Sequence, residues 1–320
     1  MVLDTGNNYY NTLPINNINS PTPITMIKAG IIGGEACITG DLIRLLLHHP
    51  DVELKWIFDA SHAGSRVDSV FANLIGDIDM SYVSEPDYSN IDVLFVPYVP
   101  DDNSEAAALK DLRVIALGNK PAGSDYIHGL PELNRKAMVR GGMHVAIPAA
   151  TESLIELAML PLAKNLLLNS HIYVDVLDTT YGPTTVTLDT TAASSPAALR
   201  IAETMRELQS GFAADIDVLT VRTPVQHGIL ASIHLRCTVD EHELLRLYRE
   251  FFDDHRFTFV SAGTVSTDAV MRTNKCMIGL HRQDDQLLIT AAIDERLKGC
   301  AGTAVHAMNL LFGLHERTGF

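Results

Sequence analysis

The feature that most constrains the fold is an alternation of strand, helix and strand that begins at Ile27. The run IKAGIIGG is apolar and ends in glycines, residues 40–49 (GDLIRLLLHH) carry leucine and isoleucine at helical spacing, and VELKWIF at 52–58 has the pattern of a second strand. Strands that alternate with crossover helices form a parallel sheet, so this half of the chain is predicted to be α/β. Further strands are predicted at 91–96, 113–117 and 144–147.

After Pro148 the pattern changes to one long helix followed mainly by strands. Helices are predicted at 152–168 and 241–252, and a last helix at 302–314. Runs of strands that follow a βαβ unit indicate a separate α+β domain. The strands predicted for it are 171–177, 216–222, 229–237, 257–261, 277–281 and 286–293.

The length of 320 residues is enough for two domains. Residues 1–25 are rich in Asn, Pro, Thr and Ser and show neither helical nor strand periodicity. We therefore expect them to form a disordered or loosely packed arm, with the folded part beginning at Met26.

Charge and cysteine content exclude several classes of protein. The net charge of −15 argues against nucleic-acid binding and against attraction to anionic membranes. No apolar run approaches the ~18 residues of a membrane span, and the N-terminal residues lack the pattern of a secretory signal. The four cysteines form no C-x-x-C, and the histidines form no metal-binding pattern, so we expect a cytoplasmic protein without a metal site.

The turn between the first strand and the first helix contains Gly33, Gly34 and Gly40. This is where a dinucleotide-binding fold places the glycines that let the backbone approach a pyrophosphate. The spacing is imperfect, because Ala36 and Thr39 stand where glycine is expected. A tight turn that binds nothing remains the alternative.

Asp59 follows the second strand, 26 residues after Gly33. An acidic side chain there commonly binds the ribose hydroxyls of NAD and repels the 2′-phosphate of NADP. The alternative is a solvated loop carboxylate. The neighbouring side chains that could still hold a phosphate are Ser61, His62, Ser65 and Arg66.

Several longer segments resemble one family. From about Ile27 to Phe320 the chain is similar to N-acetyl-gamma-glutamyl-phosphate reductases, which are relatives of aspartate-semialdehyde dehydrogenase. The segments that carry the resemblance are IKAGIIGG (27–34), GDLIRLLLHHPDVE (40–53), GLPELNR (129–135), HGILASI (227–233), TNKC (273–276) and AIDERLKGCAGTAVHAMNLLFGL (292–314).

The resemblance implies a fold, a cofactor and an assembly. It implies a Rossmann-type domain at 26–147 that is completed by residues 300–320, and an α+β substrate and dimerisation domain at 148–299. It further implies NADP or NAD as cofactor, with Gly302 near it, and a homo-oligomer. Members of the family reduce an acyl phosphate through a cysteine thioester and hydride transfer, with a histidine as acid and base.

The residues that match the family's catalytic groups differ here. The nucleophilic cysteine corresponds to Ala150, which cannot form a thioester. The segment that carries the family's histidines corresponds to 192–198 (AASSPAA), and the polar segment after the fourth strand corresponds to 115–122. His227 stands in place of an arginine, and Thr303 in place of a glutamine.

Three residues are candidate substitutes for the lost groups. Cys300 is placed at the start of the last helix, where a thiol pKa is lowered, although a buried small side chain is the alternative. His227 borders the vacated site. Glu152 follows the old nucleophile segment, and a role in the first helical turn is the alternative to a general base.

Three functions remain open at this stage. The first is a pseudoenzyme that binds a nucleotide or a small metabolite weakly, with NAD held no worse than NADP, or that supports an intact paralogue. The second is an NAD(P)-dependent enzyme with altered chemistry on an amino-acid-derived substrate. The third is an active reductase whose nucleophile is not recognised.

Overall fold

The computed structural model describes residues 26–33, 37–97, 109, 111–118, 120, 124–178, 186–191, 193–223 and 228–320. The predicted arm at 1–25, Gly34 and Ala36 in the glycine turn, and His227 lie outside the described residues. The described chain forms two sheets, each with its own hydrophobic core.

The first sheet is parallel throughout, as predicted for an α/β unit. Its order is β2-β1-β3-β4-β6-β5. Three predicted strands are one or two residues shorter than expected, and the two-residue strand β5 was not predicted. The strands are β1 (Ile27–Ile32), β2 (Val52–Phe58), β3 (Val93–Val96), β4 (Arg113–Ala116), β5 (Ile127–His128) and β6 (His144–Ala146).

Three helices belong to this sheet: α1 (Cys37–Leu47), the single turn α2 (Val67–Val70) and α3 (Pro131–Val139). Leu42, Ile43 and Leu46 of α1 are buried in the same core as β1. These three leucine and isoleucine positions are what the helical spacing predicted, and burying them places α1 against the sheet.

The second sheet is mixed, with the order β11-β12-β13-β10-β7-β9-β8. Only β7–β9 and β11–β12 are parallel pairs among its described neighbours. The sequence did not predict β8. The strands are β7 (Ile172–Asp178), β8 (Thr187–Thr191), β9 (Ile216–Arg222), β10 (Ile229–Arg236), β11 (Thr258–Ser261), β12 (Cys276–Gln283) and β13 (Gln286–Ile293).

Helices α4 (Ala150–Lys164), α5 (Pro196–Leu208) and α6 (Glu241–Phe252) share a core with one face of this sheet. Side chains alternate along β7, so that Val174 and Val176 are buried while Tyr173 and Leu177 face the other side. Tyr173 is 55% exposed, which leaves apolar surface on the face that the helices do not cover. The structure thus confirms an α/β sheet followed by an α+β unit.

The last helical segment returns from the second sheet to the first. A π-helical turn at Leu297–Ala301 runs directly into α7 (Gly302–Leu311). Residues 304–311 of α7 are buried in the core of the first sheet, together with β1 and β3. The predicted helix extended to Leu314, but the chain leaves the helix at Phe312 and turns at Gly313, which has φ 68°.

A buried ion pair anchors the π-helical turn. Lys298 Nζ lies 2.7 Å from Glu132 Oε1 at the start of α3, and both side chains are 1% exposed. Thr258 Oγ1 of β11 donates to the same oxygen at 2.7 Å. Burial raises the pKa of Glu132, but the charges of Lys298 and His306, together with the hydrogen bonds from Lys298 and Thr258, outweigh it and lower the pKa to about 2.

We predict that Leu166→Gly stabilises the protein. Leu166 follows α4 with φ 60°, its N–H bonds to Ala163 O and that of Leu167 to Leu162 O, so it occupies the left-handed position of a Schellman motif. Leu166 is 60% exposed, so glycine relieves backbone strain and removes little buried surface. Urea unfolding should show a gain of about 0.5–1 kcal/mol. Leu166→Ala keeps a Cβ and should show none; equal effects of the two changes would contradict the prediction.

We predict that Lys298→Met destabilises the fold and alters its acid sensitivity. The change leaves the Glu132 carboxylate buried without its cation, which should cost about 3–5 kcal/mol at neutral pH. In the native protein the pKa of Glu132 is lowered from 4.5 to about 2, so its contribution is present above pH 4.5 and is lost as the pH falls towards 2.

The measurement is the free energy of unfolding of both proteins across that pH range. The stability of the native protein should fall with acid more steeply than that of Lys298→Met. The double variant Lys298→Met with Glu132→Leu is the control and should recover most of the loss, because no charge is then left buried. Equal acid profiles of native protein and single variant would refute the role assigned to the pair.

Candidate functional site

The carboxyl edge of the first sheet is where a doubly wound fold binds nucleotides. Gly33 ends β1 there, and its N–H donates to Phe58 O at the end of β2, at 3.0 Å. A Cβ on Gly33 would lie 3.0 Å from Thr39 Oγ1, so the threonine that replaces an expected glycine occupies the space above Gly33. Gly33 and Asp59 therefore end neighbouring strands, as the sequence predicted.

Asp59 organises the turn that follows β2. Its Oδ1 accepts the Ser61 N–H at 2.8 Å and the Ser61 hydroxyl, and it lies 3.1 Å from His62 Nδ1. The hydrogen bond from the Ser61 hydroxyl is the main reason why the pKa of Asp59 is lowered. The group is thus an anion at neutral pH, and only one of its two oxygens is used by the turn.

Arg66, named above as a possible phosphate ligand, is bound by carboxylates. Its Nε and Nη2 donate to Asp68 at 2.9 and 2.7 Å, and Nη1 donates to Asp79 at 2.8 Å. Two carboxylates therefore offset its charge. This arrangement disfavours a 2′-phosphate beside Asp59 and agrees with the charge of Asp59 itself.

Two other predicted cofactor residues are glycines for reasons of packing. A Cβ on Gly40 would lie 2.9 Å from the Phe71 ring, and a Cβ on Gly302 would lie 2.4 Å from Asn274 Oδ1. Gly40 lets Phe71 approach α1, and Gly302 lets Asn274 approach α7. Neither position requires a cofactor to explain its glycine.

The region that matches the family's catalytic segments lies where α4 and α5 begin. Glu152 of α4 pairs with Arg200 of α5, and one turn later Glu156 pairs with Thr204. In both pairs the partner lies 48 residues further along the chain. The helices therefore run parallel and begin at the same end. Ala150 is the first residue of α4, and a Cβ on Gly299 would lie 2.6 Å from the Ala150 Cβ, so the π-helical turn closes over it.

Ser195 and Pro196 retain the start of α5. The Ser195 hydroxyl accepts the N–H of Ala198 at 3.2 Å, and Pro196 is the first helical residue. The segment at 193–198 thus begins a helix, and its side chains include no imidazole.

Glu152 lies in the first turn of α4, as the sequence indicated, but its carboxylate is held by Arg200. Arg200 Nη2 donates to Oε1 at 2.6 Å and Nε to Oε2 at 3.0 Å. Glu152 is 6% exposed, and the Arg200 side chain is 34% exposed. The hydrogen bonds that Arg200 donates to Glu152 are the main reason why the pKa of Arg200 is raised. A carboxylate that accepts two charged hydrogen bonds is a poor general base.

A second polar pair lies one turn further along α4 and was not predicted. His128 Nε2 lies 2.8 Å from Glu156 Oε2, and Glu156 Oε1 accepts the Thr204 hydroxyl at 2.7 Å. Burial lowers the pKa of His128, but the charge and hydrogen bond of Glu156, with the charge of Glu207, outweigh it and raise the pKa overall. Glu156 is fully buried and orients the ring of a histidine that remains 13% exposed. No spacing in the sequence signals this contact.

The structure argues against an activated thiol at Cys300. Burial is the main reason why its pKa is raised to about 12, and the charge of Asp41 adds to the effect. The residue lies inside the π-helical turn, so it has no free helix N-terminus beside it to stabilise a thiolate. The three cysteines with described side chains, Cys237, Cys276 and Cys300, are all buried.

Thr303, at the position of the family's glutamine, is also committed to the helix. Its hydroxyl donates to Lys298 O at 2.6 Å. Within the described residues, no group of three His, Cys, Asp or Glu side chains is arranged to hold a metal ion. No helix in the described part of the chain is long and apolar enough to cross a membrane.

The sequence matches two family models. Residues 28–140 match the semialdehyde dehydrogenase NAD binding domain, and residues 200–295 match the semialdehyde dehydrogenase dimerisation domain. Among solved structures, aspartate semialdehyde dehydrogenase II of Vibrio cholerae complexed with ASA superposes with a TM-score of 0.68 at 13% identity, covering 90% of this chain and 99% of that one. Aspartate semialdehyde dehydrogenase with NADP from Candida albicans gives a TM-score of 0.64.

Curated relatives are more similar in sequence. The N-acetyl-gamma-glutamyl-phosphate reductase of Parabacteroides distasonis is 36% identical over 315 residues, which cover 92% of this chain and 98% of that protein. The protein of the same name from Phocaeicola vulgatus is 36% identical over 324 residues with the same coverage. The domain matches support NAD(P) as the cofactor implied by family resemblance. The two-domain fold and the similarity along almost the whole chain confirm that this protein belongs to the N-acetyl-gamma-glutamyl-phosphate reductase family.

Proposed function

We propose that this protein is a family member that no longer performs the cysteine-dependent reduction of an acyl phosphate. The observation that carries the proposal is Ala150 at the first residue of α4, with its Cβ against the backbone of Gly299. A thioester requires a nucleophilic sulfur at this place, and methyl cannot supply one. The protein is then a pseudoenzyme that binds a nucleotide or supports an intact paralogue.

The polar side chains near Ala150 support the proposal because they already have hydrogen-bond partners within the protein. Arg200 holds Glu152, Glu156 holds His128, and the Thr303 hydroxyl bonds within its own helix. The raised pKa of Cys300 leaves it protonated at neutral pH. A nucleophile and an acid in this region would have to be recruited from described groups that already have other partners.

The nucleotide edge of the first sheet still fits NAD(P). Gly33 and the ionised carboxylate of Asp59 follow adjacent parallel strands at the edge where this fold binds dinucleotides, and the carboxylate suits a ribose. A bound nicotinamide would supply a hydride donor or acceptor. The chain's own contribution is orientation, and the free oxygen of Asp59 would accept from the ribose hydroxyls.

One alternative function has specific support, and a second remains possible only through residues that are not described. An NAD(P)-dependent enzyme with altered chemistry is favoured by the His128–Glu156 pair, because a carboxylate that orients a histidine of raised pKa is a common acid–base arrangement. An active reductase would need a nucleophile outside the described residues. His227, which also lies outside them, would serve as its acid. Cofactor binding, substrate-dependent NADPH oxidation and co-purification with a paralogue separate the three functions.

Assembly into a homo-oligomer is part of the proposal. The uncovered face of the second sheet exposes Tyr173, Leu177 and Leu188, and the last of these is 63% exposed. Exposed apolar residues gathered on one face are typical of subunit contacts. The match of residues 200–295 to a dimerisation domain supports the same interpretation.

We predict that the purified protein does not oxidise NADPH with N-acetyl-gamma-glutamyl phosphate. Loss of a covalent nucleophile costs several orders of magnitude in rate, so turnover should lie below about 0.01 per second, against roughly 1–1000 per second for ordinary enzymes. The assay follows NADPH absorbance, and the Parabacteroides distasonis reductase is the positive control. Ala150→Cys alone should not restore activity, because the family's histidines are also absent. Turnover in the ordinary range would refute the proposal.

We predict that the protein binds NAD at least as tightly as NADP, and that Asp59→Asn reverses this order. Asparagine keeps an acceptor for Ser61 and removes the negative charge near the expected 2′-phosphate. Calorimetric titration should show NADP affinity rising by about 3- to 10-fold, with a smaller change for NAD. Asp77→Asn is the control, because Asp77 is exposed in the same domain and does not pair with Arg66, and it should leave the ratio close to that of the native protein. NADP-selective binding by the native protein would contradict the prediction.

A further inference from the structure

A cleft of about 650 Å³ lies away from the nucleotide edge, between α1 and two segments of the second unit, one before β12 and one after β13. This volume is within the range of small-molecule sites. One wall is formed by Asp41 and Arg44 of α1 with Phe71, and the other by Arg272, Asp294 and Arg296. Thr39 of α1 contacts Gly33, whereas Gly40, Asp41 and Arg44 line the cleft, so different faces of the helix serve the two places.

Asp41 brings two of the arginines together. Its carboxylate accepts from Arg44 Nη2 at 2.5 Å and from Arg296 Nε. The Asp41 side chain is 4% exposed, while those of Arg44 and Arg296 are 44% and 29% exposed. One buried anion thus holds two partly accessible guanidinium groups at the cleft.

Asp294 fixes the backbone of the other wall. Its Oδ2 accepts the N–H of Arg272 at 2.7 Å, and its Oδ1 accepts those of Arg296 and Leu297 at 2.9 Å each. The residue is 2% exposed. Three backbone N–H groups satisfy this carboxylate, so among the described residues it positions the backbone of two arginines rather than pairing with their guanidinium groups.

Arg272 has the properties expected of a ligand-binding residue. Its φ is 58°, in the left-handed region that disfavours side chains with a Cβ. It is exposed, and its guanidinium has no hydrogen-bond or ion-pair partner among the described residues. Glycine or asparagine would suit this backbone better, so neither local conformation nor an internal contact explains an arginine here. Strained residues of this kind concentrate at functional sites.

The charge of the cleft is opposite to that of the chain. The protein carries 39 acidic and 24 basic residues. Three arginines nevertheless line one cleft, and both of its carboxylates are buried and satisfied. Guanidinium groups match the geometry of phosphate and carboxylate oxygens, which they bind through paired hydrogen bonds.

We propose that this cleft binds a small organic polyanion that carries phosphate or carboxylate groups. Arg272 contacts the ligand first, with Arg44 and Arg296 as further cationic partners, and Leu45 and Leu297 provide apolar contact at the wall. The site is separate from the nucleotide edge and does not depend on the loss of catalysis proposed above.

The test is calorimetric titration with inorganic pyrophosphate and with citrate at low ionic strength, on the full chain. We expect saturable binding of at least one of the two, and the tighter one identifies phosphate or carboxylate as the preferred group. Arg272→Asn should weaken that binding by about 10- to 100-fold. The melting temperature of this variant should be unchanged or higher, because asparagine tolerates the left-handed backbone.

Arg249→Gln is the matched control, since Arg249 is an exposed arginine on α6 outside the cleft lining. It should bind like the native protein. If Arg272→Asn fails to fold, Arg44→Gln takes its place, because Arg296 still pairs with Asp41 in that variant. Failure of both probes to bind at millimolar concentration, or equal weakening by the cleft variant and the control, would overturn the proposal.

Discussion

The buried pair of Glu132 and Lys298 is the interaction on which the rest of the structure depends. It joins α3 of the first sheet to the π-helical turn, and Thr258 connects β11 to the same carboxylate oxygen. Charges with 1% exposure are costly to bury and tolerate little displacement from each other. The pair therefore fixes the π-helical turn, and with it the backbone of Gly299 against Ala150 and the hydroxyl of Thr303 against Lys298 O.

Hydrophobic periodicity predicted those strands and helices that depend mainly on their own sequence. The bounds of β2, β9, β13 and α6 agree with the sequence, and α6 has an Asp240 side chain that accepts the N–H of Glu243 at its start. Strands β5 and β8 were missed because the first has two residues and the second is a polar, exposed edge strand. The resemblance predicted the two-domain fold, which the similarity to other family members confirms.

The polar contacts of the site could not be predicted in the same way. Glu152 was singled out, but its partner Arg200 lies 48 residues away, and many other basic residues satisfy the same charge argument. His128 and Glu156 meet only after β5 and α4 have packed. The prediction of a lowered pKa for the Cys300 thiol depended on its place at a helix N-terminus. The π-helical turn instead places this residue within continuous helix and buries it, so desolvation determines its pKa.

The return of α7 to the first sheet has a consequence for the order in which the protein can fold during synthesis. The core that contains β1 and α1 also contains residues 304–311, so the first sheet to leave the ribosome lacks part of its core until the chain is almost complete. His49, after α1, finds its partner Asn309 only at that stage, 260 residues later. The core of the second sheet is also completed late, because it includes Ile289 and Ile293 of the inner strand β13. Both domains therefore wait for the last part of the chain, and the domain made first waits longest with part of its core open and in need of protection from aggregation.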